Sequence, residues 1–434
     1  MALASAGFTV EVVCPSGHPV KKTSAVQRTF PYHALTPLTS IADAIAATTP
    51  DLIIPADDLA TCHLHGLFYR ERSRGTATAA ICSLIERSLG PSDSFPVVYA
   101  RTRVMQLAQE ENIRVPKTSV IATIDDLRKW ADQVGFPTVL KADGTSAGKG
   151  VRIVHTLQEA ERAFRDLAAP PFLLRSVKRA LVDQDLTLIR PLLLRRRSVV
   201  NAQSFVAGRE ATSLVASWNG TVLAGVHFEV LNKQDSTGPA SVLRLIEDPE
   251  MSKAAEKLVR RLKLSGLHGF DFMLEANTGS AYLIELNPRT TQVGHLRLGP
   301  GRDIPAALYA AASGIAVEGA PMVTKNDTIA LFPQEWTRNP ASVFLRSSYH
   351  DVPWEEPALI RDCVRRRWTW GAWYAQRKWV QALFRPFGAF TDKRSIECSH
   401  RAAWTANDSQ NRESVTDASL NSLTAADSEF PRGS

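Results

Sequence analysis

The 434 residues correspond to about two or three domains, enough to enclose a large core. Hydrophobic residues make up 44% and charged residues 22%, with 24 Gly and 25 Pro spread along the chain, which excludes collagen-like and wholly disordered classes and leaves a soluble globular protein. Lys plus Arg (51) exceed Asp plus Glu (44), giving a net charge of +7 that suits anionic ligands but is too small to imply nucleic acid, and no nucleic-acid partner is expected.

Residues Ala2–Gly7 read as the end of a helix with a glycine stop, and the apolar run Phe8–Cys14 as a buried strand. A helix over Ile41–Thr49 and a strand over Asp51–Ala56, ending in Asp57 and Asp58, continue the alternation of a doubly wound parallel sheet. Such a sheet normally opens with a strand, so the front is expected to lack its first one. Helical spacing returns over Thr102–Asn112, then a strand at Thr118–Ala122, a helix at Asp125–Val134 and a strand at Thr138–Lys141. That strand runs into a segment with glycines at 144, 148 and 150, followed by a strand at Val151–Val154 and a helix at Gln158–Leu167.

Short β-rich runs with turns at Gly208, Asn219-Gly220 and Gly225 predict an antiparallel meander over Ser198–Leu231. A helix at Ser252–Leu262 precedes the strongest hairpin signal, Gly269–Glu275 and Ala281–Asn287 about a turn at Asn277–Gly279. Residues 354–379 hold five of the nine tryptophans beside Arg365–Arg367, and from about His400 the chain reads as a disordered tail. Five cysteines, widely spaced and without a CxxC pair, point to a reducing compartment. With neither an apolar run of membrane-spanning length nor a leader pattern, a cytoplasmic location is expected.

The glycine segment has one residue too few between Gly144 and Gly148-Lys149 for a P-loop, and Gly150 stands where Ser or Thr must hold magnesium. Gly144-Thr-Ser146-Ala-Gly148 matches the G-x-S-x-G nucleophile elbow, but a strand rather than a helix follows it. Two readings stay open: a solvated hairpin loop, or a loop that folds over polyphosphate, with backbone N–H groups and Lys141 meeting its charge. In the hairpin, Asp271 on one strand and Glu285 and Asn287 on the next converge as hard oxygen ligands of the kind that suit Mg²⁺ held with substrate phosphates, and Arg289 lies on the same side. The alternative is an exposed polar face. Asp57 and Asp58 occupy either the ligand side of a parallel sheet or helix-capping positions. His227 and His295 are substrate contacts or structural histidines. Segment 361–387 either packs its aromatics on the domain beneath or rests on an acidic membrane surface.

The order Lys141, glycine loop, Asp271, Glu285-Leu-Asn287-Pro-Arg289 resembles the ATP-grasp superfamily over roughly residues 99–300, and Asn287–His295 is similar to the matching segment of biotin carboxylase and carbamoyl phosphate synthetase, with Gly294 where biotin carboxylase has an acidic residue. The resemblance implies an α/β plus α+β fold. A preATP-grasp, Rossmann-like front would occupy residues 1–98 and an ATP-grasp domain 99–322, with its lid at about 117–200; a Trp/Arg-rich extension would span 323–399 and the tail 400–434. It further implies that Lys141 and the lid residues Gly144, Ser146, Gly148 and Gly150 bind ATP phosphates. Arg101 occupies a second phosphate position where relatives usually carry Lys. Gln203 and Val206 match the adenine-binding hinge, where Glu is commoner than Gln. Glu210 matches the ribose-binding carboxylate; Asp271, Glu285 and Asn287 match the ligands of Mg²⁺ (or Mn²⁺), and Arg289 the arginine that stabilises the intermediate. The implied reaction is ATP-dependent ligation of a small-molecule carboxylate to an amine or other nucleophile through an acyl phosphate, releasing ADP and phosphate. The alternatives are a carboxylase-like enzyme using bicarbonate and a non-catalytic ATP-binding protein, with a serine hydrolase through Ser146 as a third reading. A homodimer is compatible with these features.

Overall fold

A computed structural model describes residues 1–75, 79–143, 150–169, 198–235, 238–317 and 321–364. Helix α1 (Ala2–Ser5) ends before Gly7, whose φ of +111° favours glycine, and leads to strand β1 (Glu11–Cys14). β1 pairs in parallel with β2 (Arg28–Pro31), a four-residue strand too short and too exposed to show a periodic pattern. Among the described residues the front sheet therefore has two strands rather than the expected doubly wound order. Among the described residues the expected strand at Asp51–Ala56 joins no ladder. Ile53 gives its N–H to Ser88 Oγ at 3.0 Å, and Pro55, which has no N–H, accepts from Thr290 N at 3.2 Å, so side chain and loop replace strand partners. Helices α2 (Pro37–Thr48), α3 (Asp58–Arg72) and α4 (Ala79–Leu89) pack about Leu64, Leu67, Phe68, Ile85 and Phe95.

After α5 (Phe95–Tyr99) and α6 (Arg101–Glu110) the chain builds a four-stranded antiparallel sheet from β3 (Thr118–Ile121), β4 (Thr138–Ala142), β5 (Val151–Val154) and β6 (Val200–Ser204), in the order β3-β6-β4-β5. Helices α7 (Ile124–Val134) and α8 (Leu157–Ala168) cover one face and bury Ile121, Leu127, Trp130, Leu140, Val154 and Phe164. Side chains alternate along a strand, so Val120, Val139, Lys141, Ile153, Asn201 and Gln203 share the other face. Among the described residues no helix packs on that face: Val120 is 46% and Ile153 49% exposed.

The larger sheet holds seven strands in the order β11-β10-β7-β8-β9-β12-β13: β7 (Gly208–Trp218), β8 (Thr221–Lys233), β9 (Ala240–Leu245), β10 (Gly266–Glu275), β11 (Ala281–Asn287), β12 (Thr328–Ala330) and β13 (Tyr349–His350). Helix α9 (Pro249–Leu262) and α6 close over Phe270, Phe272 and Leu283 on one face; α10 (Ile304–Ser313) closes over Leu214, Phe228 and Ile329 on the other.

Residues Ser198–Leu231 are thus not one meander. β6 completes the small sheet, because Val200 and Ala202 belong to its core, and the chain crosses to the large sheet before β7. Gly208 opens β7 and Gly225 lies inside β8; only Asn219-Gly220, both at positive φ, forms the expected tight turn. No helix among the described residues is long and apolar enough to cross a membrane. The loop carrying Gly144, Ser146 and Gly148, the lid stretch 170–197, most of segment 361–387 and the whole tail lie outside the described residues.

Candidate functional site

The β10–β11 hairpin sets the site. Asp271 lies directly opposite Glu285, and the register then slips, with Phe272 opposite Leu283 and Ile284 left as the extra residue of a bulge. The bulge turns Glu285 onto the face that also carries Asp271 and Asn287, while Leu283 and Leu286 stay in the core. Gly269, paired with Asn287, lets the strands approach: a Cβ there would stand 2.5 Å from Thr291 Cγ2 and 3.3 Å from Asn287 Cβ.

Asp271 accepts hydrogen bonds from Thr212 Oγ1 at 2.8 Å and Asn287 Nδ2 at 2.9 Å, the first from the neighbouring strand β7. Burial, with Glu285 beside it, pushes the Asp271 carboxyl up to about 6. Burial also acts against the charge on Glu285, but Arg101 and Lys141 outweigh it and hold this carboxyl below the usual range. Arg101, the first residue of α6, places Nη2 2.6 Å from Glu285 Oε1 and Nη1 3.4 Å from Asp143 Oδ1, so it links the end of β4 to β11. Asp143 in turn accepts from Asn201 Nδ2 at 2.8 Å.

Lys141, 5% exposed on the small-sheet face away from α7 and α8, reaches the Ile284 carbonyl oxygen at 3.4 Å. Burial pushes its ammonium down to about 8, with Glu285 opposing and Arg101 reinforcing the shift. Gln203 is buried and gives its amide N–H to Thr118 Oγ1 at 3.2 Å. Val206 is half-buried in the connection from β6 to β7, and Glu210 accepts from Lys233 Nζ at 2.6 Å. Gly150 closes the described edge of the loop, its carbonyl oxygen accepting from Ala142 N at 2.9 Å.

Arg289 connects the hairpin to the front. Its Nε lies 2.9 Å from Asp58 Oδ1 and its Nη2 3.4 Å from Asn287 Oδ1, while Thr61 Oγ1 donates to the Pro288 carbonyl at 2.9 Å. The two readings of the Asp57-Asp58 pair fall on different residues: Asp57 caps α3 through Ala60 N at 2.7 Å, and Asp58 faces the site through Arg289. His227 lies away from the site, buried between Ser213 Oγ (2.6 Å) and Ser252 Oγ (2.9 Å); Ser213 follows Thr212 in the strand and so points to the opposite face of the sheet. His295 pairs with Asp351 at 2.8 Å.

The structure thus joins Arg101, Lys141, Asp271, Glu285, Asn287 and Arg289 in one network. It adds Asp143, Asn201 and Thr212, which no spacing in the chain singles out and which only strand register and tertiary contact bring in, and it takes Asp58 from the Asp57-Asp58 pair through Arg289. Among the described residues no three His, Cys, Asp or Glu side chains form a metal cluster, so the oxygen set is two carboxylates and one amide. Such a set suits a hard divalent cation shared with other oxygen donors: two carboxylates meet across the ladder, and the burial and mutual repulsion that push the Asp271 carboxyl up are what a cation relieves.

Residues 101–186 match the family model described as phosphoribosylglycinamide synthetase, ATP-grasp (A) domain, and residues 193–293 a model described as ATP-grasp domain. The chain is 25% identical over 212 residues to acetyl-CoA carboxylase of Dictyostelium discoideum, covering 47% of this chain and 8% of that protein. It is 26% identical over 206 residues to formate-dependent phosphoribosylglycinamide formyltransferase of Bacteroides thetaiotaomicron, covering 44% of this chain and 45% of that one. The chain therefore spans less than half the length of either curated relative. Among solved structures, the biotin carboxylase domain of Hydrogenobacter thermophilus 2-oxoglutarate carboxylase, solved as a dimer with MgADP, ADP and bicarbonate, is similar in fold. Its TM-score is 0.51 at 13% identity, with 73% of this chain and 67% of that chain covered. Two adjoining ATP-grasp models match residues 101–186 and 193–293 and take in strands of both sheets, so the chain contains an ATP-grasp domain, and its likeness to the biotin carboxylase domain is one of fold.

Proposed function

We propose that this chain is an ATP-dependent carboxylate ligase that acts through an acyl phosphate and releases ADP and phosphate. The observation that carries this reading is the meeting of two cations, the buried Lys141 and the largely enclosed Arg101, with the oxygens of Asp271, Glu285 and Asn287 and the guanidinium of Arg289. Phosphoryl transfer asks little covalent chemistry of the protein and much positioning and charge compensation, and this network offers both.

Mg²⁺ (or Mn²⁺), held by Asp271, Glu285 and Asn287 together with nucleotide oxygens, would neutralise charge developing on the phosphates. Lys141 and Arg101 bind phosphate oxygens from the small-sheet side. Gln203, its amide N–H already given to Thr118, has its carbonyl oxygen left for the adenine amino group, and Val206 flanks it. The apolar face of Val120, Val139 and Ile153 gives a purine a surface to lie on. Glu210 takes the ribose hydroxyls while it keeps Lys233. Arg289, fixed by Asp58, steadies the negative charge of the acyl phosphate, and Gly144, Ser146, Gly148 and Gly150 are the residues that the resemblance assigns to the ATP phosphates. The substrates are a small-molecule carboxylate and an amine or other nucleophile.

The test is ADP formation from Mg-ATP with pooled amino acids, hydroxy acids, dicarboxylates or bicarbonate. The expected outcome is ADP release that requires one pool, with oxygen-18 from the substrate carboxylate appearing in the released phosphate. ATP binding without ADP release in any pool supports the non-catalytic alternative instead.

A further inference from the structure

We propose that Arg101 gates Glu285: its guanidinium holds the carboxylate that a divalent cation requires until nucleotide phosphates draw it away, so that the cation enters with or after the nucleotide. The inference rests on the proposed nucleotide site and adds an order of binding to it.

The geometry that carries it is local. The Arg101 Nη2 to Glu285 Oε1 contact, at 2.6 Å, is a short charge-assisted hydrogen bond, and the Arg101 side chain is only 11% exposed. A cation approaching Glu285 in the free protein must displace a buried guanidinium and leave it without that partner, which costs far more than displacing water. The guanidinium is nevertheless incompletely satisfied. Among the described residues its buried Nε has no hydrogen-bond partner, and neither has Asn201 Oδ1 on β6, so the pocket around Arg101 has a donor and an acceptor that these residues leave unmatched. Asp143, fixed by Asn201 and already 3.4 Å from Nη1, offers a second carboxylate, so release of Glu285 does not strand the charge. A polyphosphate supplies what the site lacks: oxygens for Nε and Nη2 together, after which Glu285 is free. Binding of nucleotide and cation is thereby coupled through one side chain.

The experiment titrates the full chain with Mn²⁺ alone and reads free Mn²⁺ by its electron paramagnetic resonance signal. Arg101→Met is expected to bind Mn²⁺ about ten- to a hundredfold tighter than wild type, the scale of one charge-assisted hydrogen bond. Combining it with Glu285→Gln should abolish the gain, and saturating ADP should bring wild-type affinity up toward that of the variant. Arg101→Gln, closer in length and polarity, carries the same expectation if Arg101→Met does not fold. Equal Mn²⁺ affinity in wild type and the Arg101 variant, or a gain that survives Glu285→Gln, overturns the gate. A chain that binds Mg-ATP yet shows no such gain loses the gate and keeps the functional reading; a chain that binds no ATP loses the functional reading, on which the gate depends.

Discussion

Glu285→Gln is expected to lower the rate of ADP formation by about three orders of magnitude, the scale on which removal of one centre of transition-state charge stabilisation acts. Glu285 stands opposite Asp271 in the ladder and 2.6 Å from Arg101, turned toward both by the bulge at Ile284. The amide keeps the volume and still accepts from Arg101, while Arg101 retains Asp143, so the fold survives the change. What is lost is the negative charge that compensates two cations and helps to hold the divalent ion. Initial rates at saturating Mg-ATP, alongside a thermal melt, separate chemistry from stability. A loss below about tenfold in a normally melting variant would remove Glu285 from the machinery.

The second large effect is on nucleotide affinity as a function of pH. Burial pushes Lys141 down to about 8, so in the free protein its ammonium is charged below that pH and neutral above it. Phosphate binds the charged form and stabilises it, which raises the ammonium's pKa in the complex. Through Lys141, linkage leaves ATP affinity unchanged between about pH 7 and 8 and lets it fall by up to about tenfold per pH unit above, until the raised value is reached. Lys141→Met should bind ATP about a hundredfold more weakly at pH 7 and lose this alkaline dependence. A wild-type affinity that does not change between pH 7 and pH 9.5 would separate Lys141 from the phosphates.

Much of this arrangement was legible in the sequence because it is local. The hairpin Gly269–Asn287 shows period-two alternation on both sides of a turn, and its polar positions break an apolar pattern, which is how Asp271, Glu285 and Asn287 stand out. Lys141 stands out by its place between a strand and a glycine-rich segment. The parts that were not legible depend on pairing between distant segments. β2 is four residues long and has no pattern of its own. Leu52–Pro55 has strand composition, but its partners are a serine side chain and the loop after Arg289. The division of Ser198–Leu231 between two sheets follows from which cores Val200 and Leu214 enter, and alternation is the same in either sheet. Asp143, Asn201 and Thr212 are ordinary polar residues in sequence. They become part of the site because β4 pairs with β6 and β7 with β10. Asp58 joins from a helix more than two hundred positions earlier, through a contact that no local rule predicts.

The most direct test of the central claim is a calorimetric titration of the full chain with ATP, with and without Mg²⁺. The account predicts one saturable site per chain, tightened by Mg²⁺ and lost when Lys141 and Arg101 are both replaced by Met in a protein that still melts cooperatively. A folded wild-type chain that takes up no ATP in either condition would contradict the account, because the cations and oxygens gathered between the two sheets would then have no phosphate to serve.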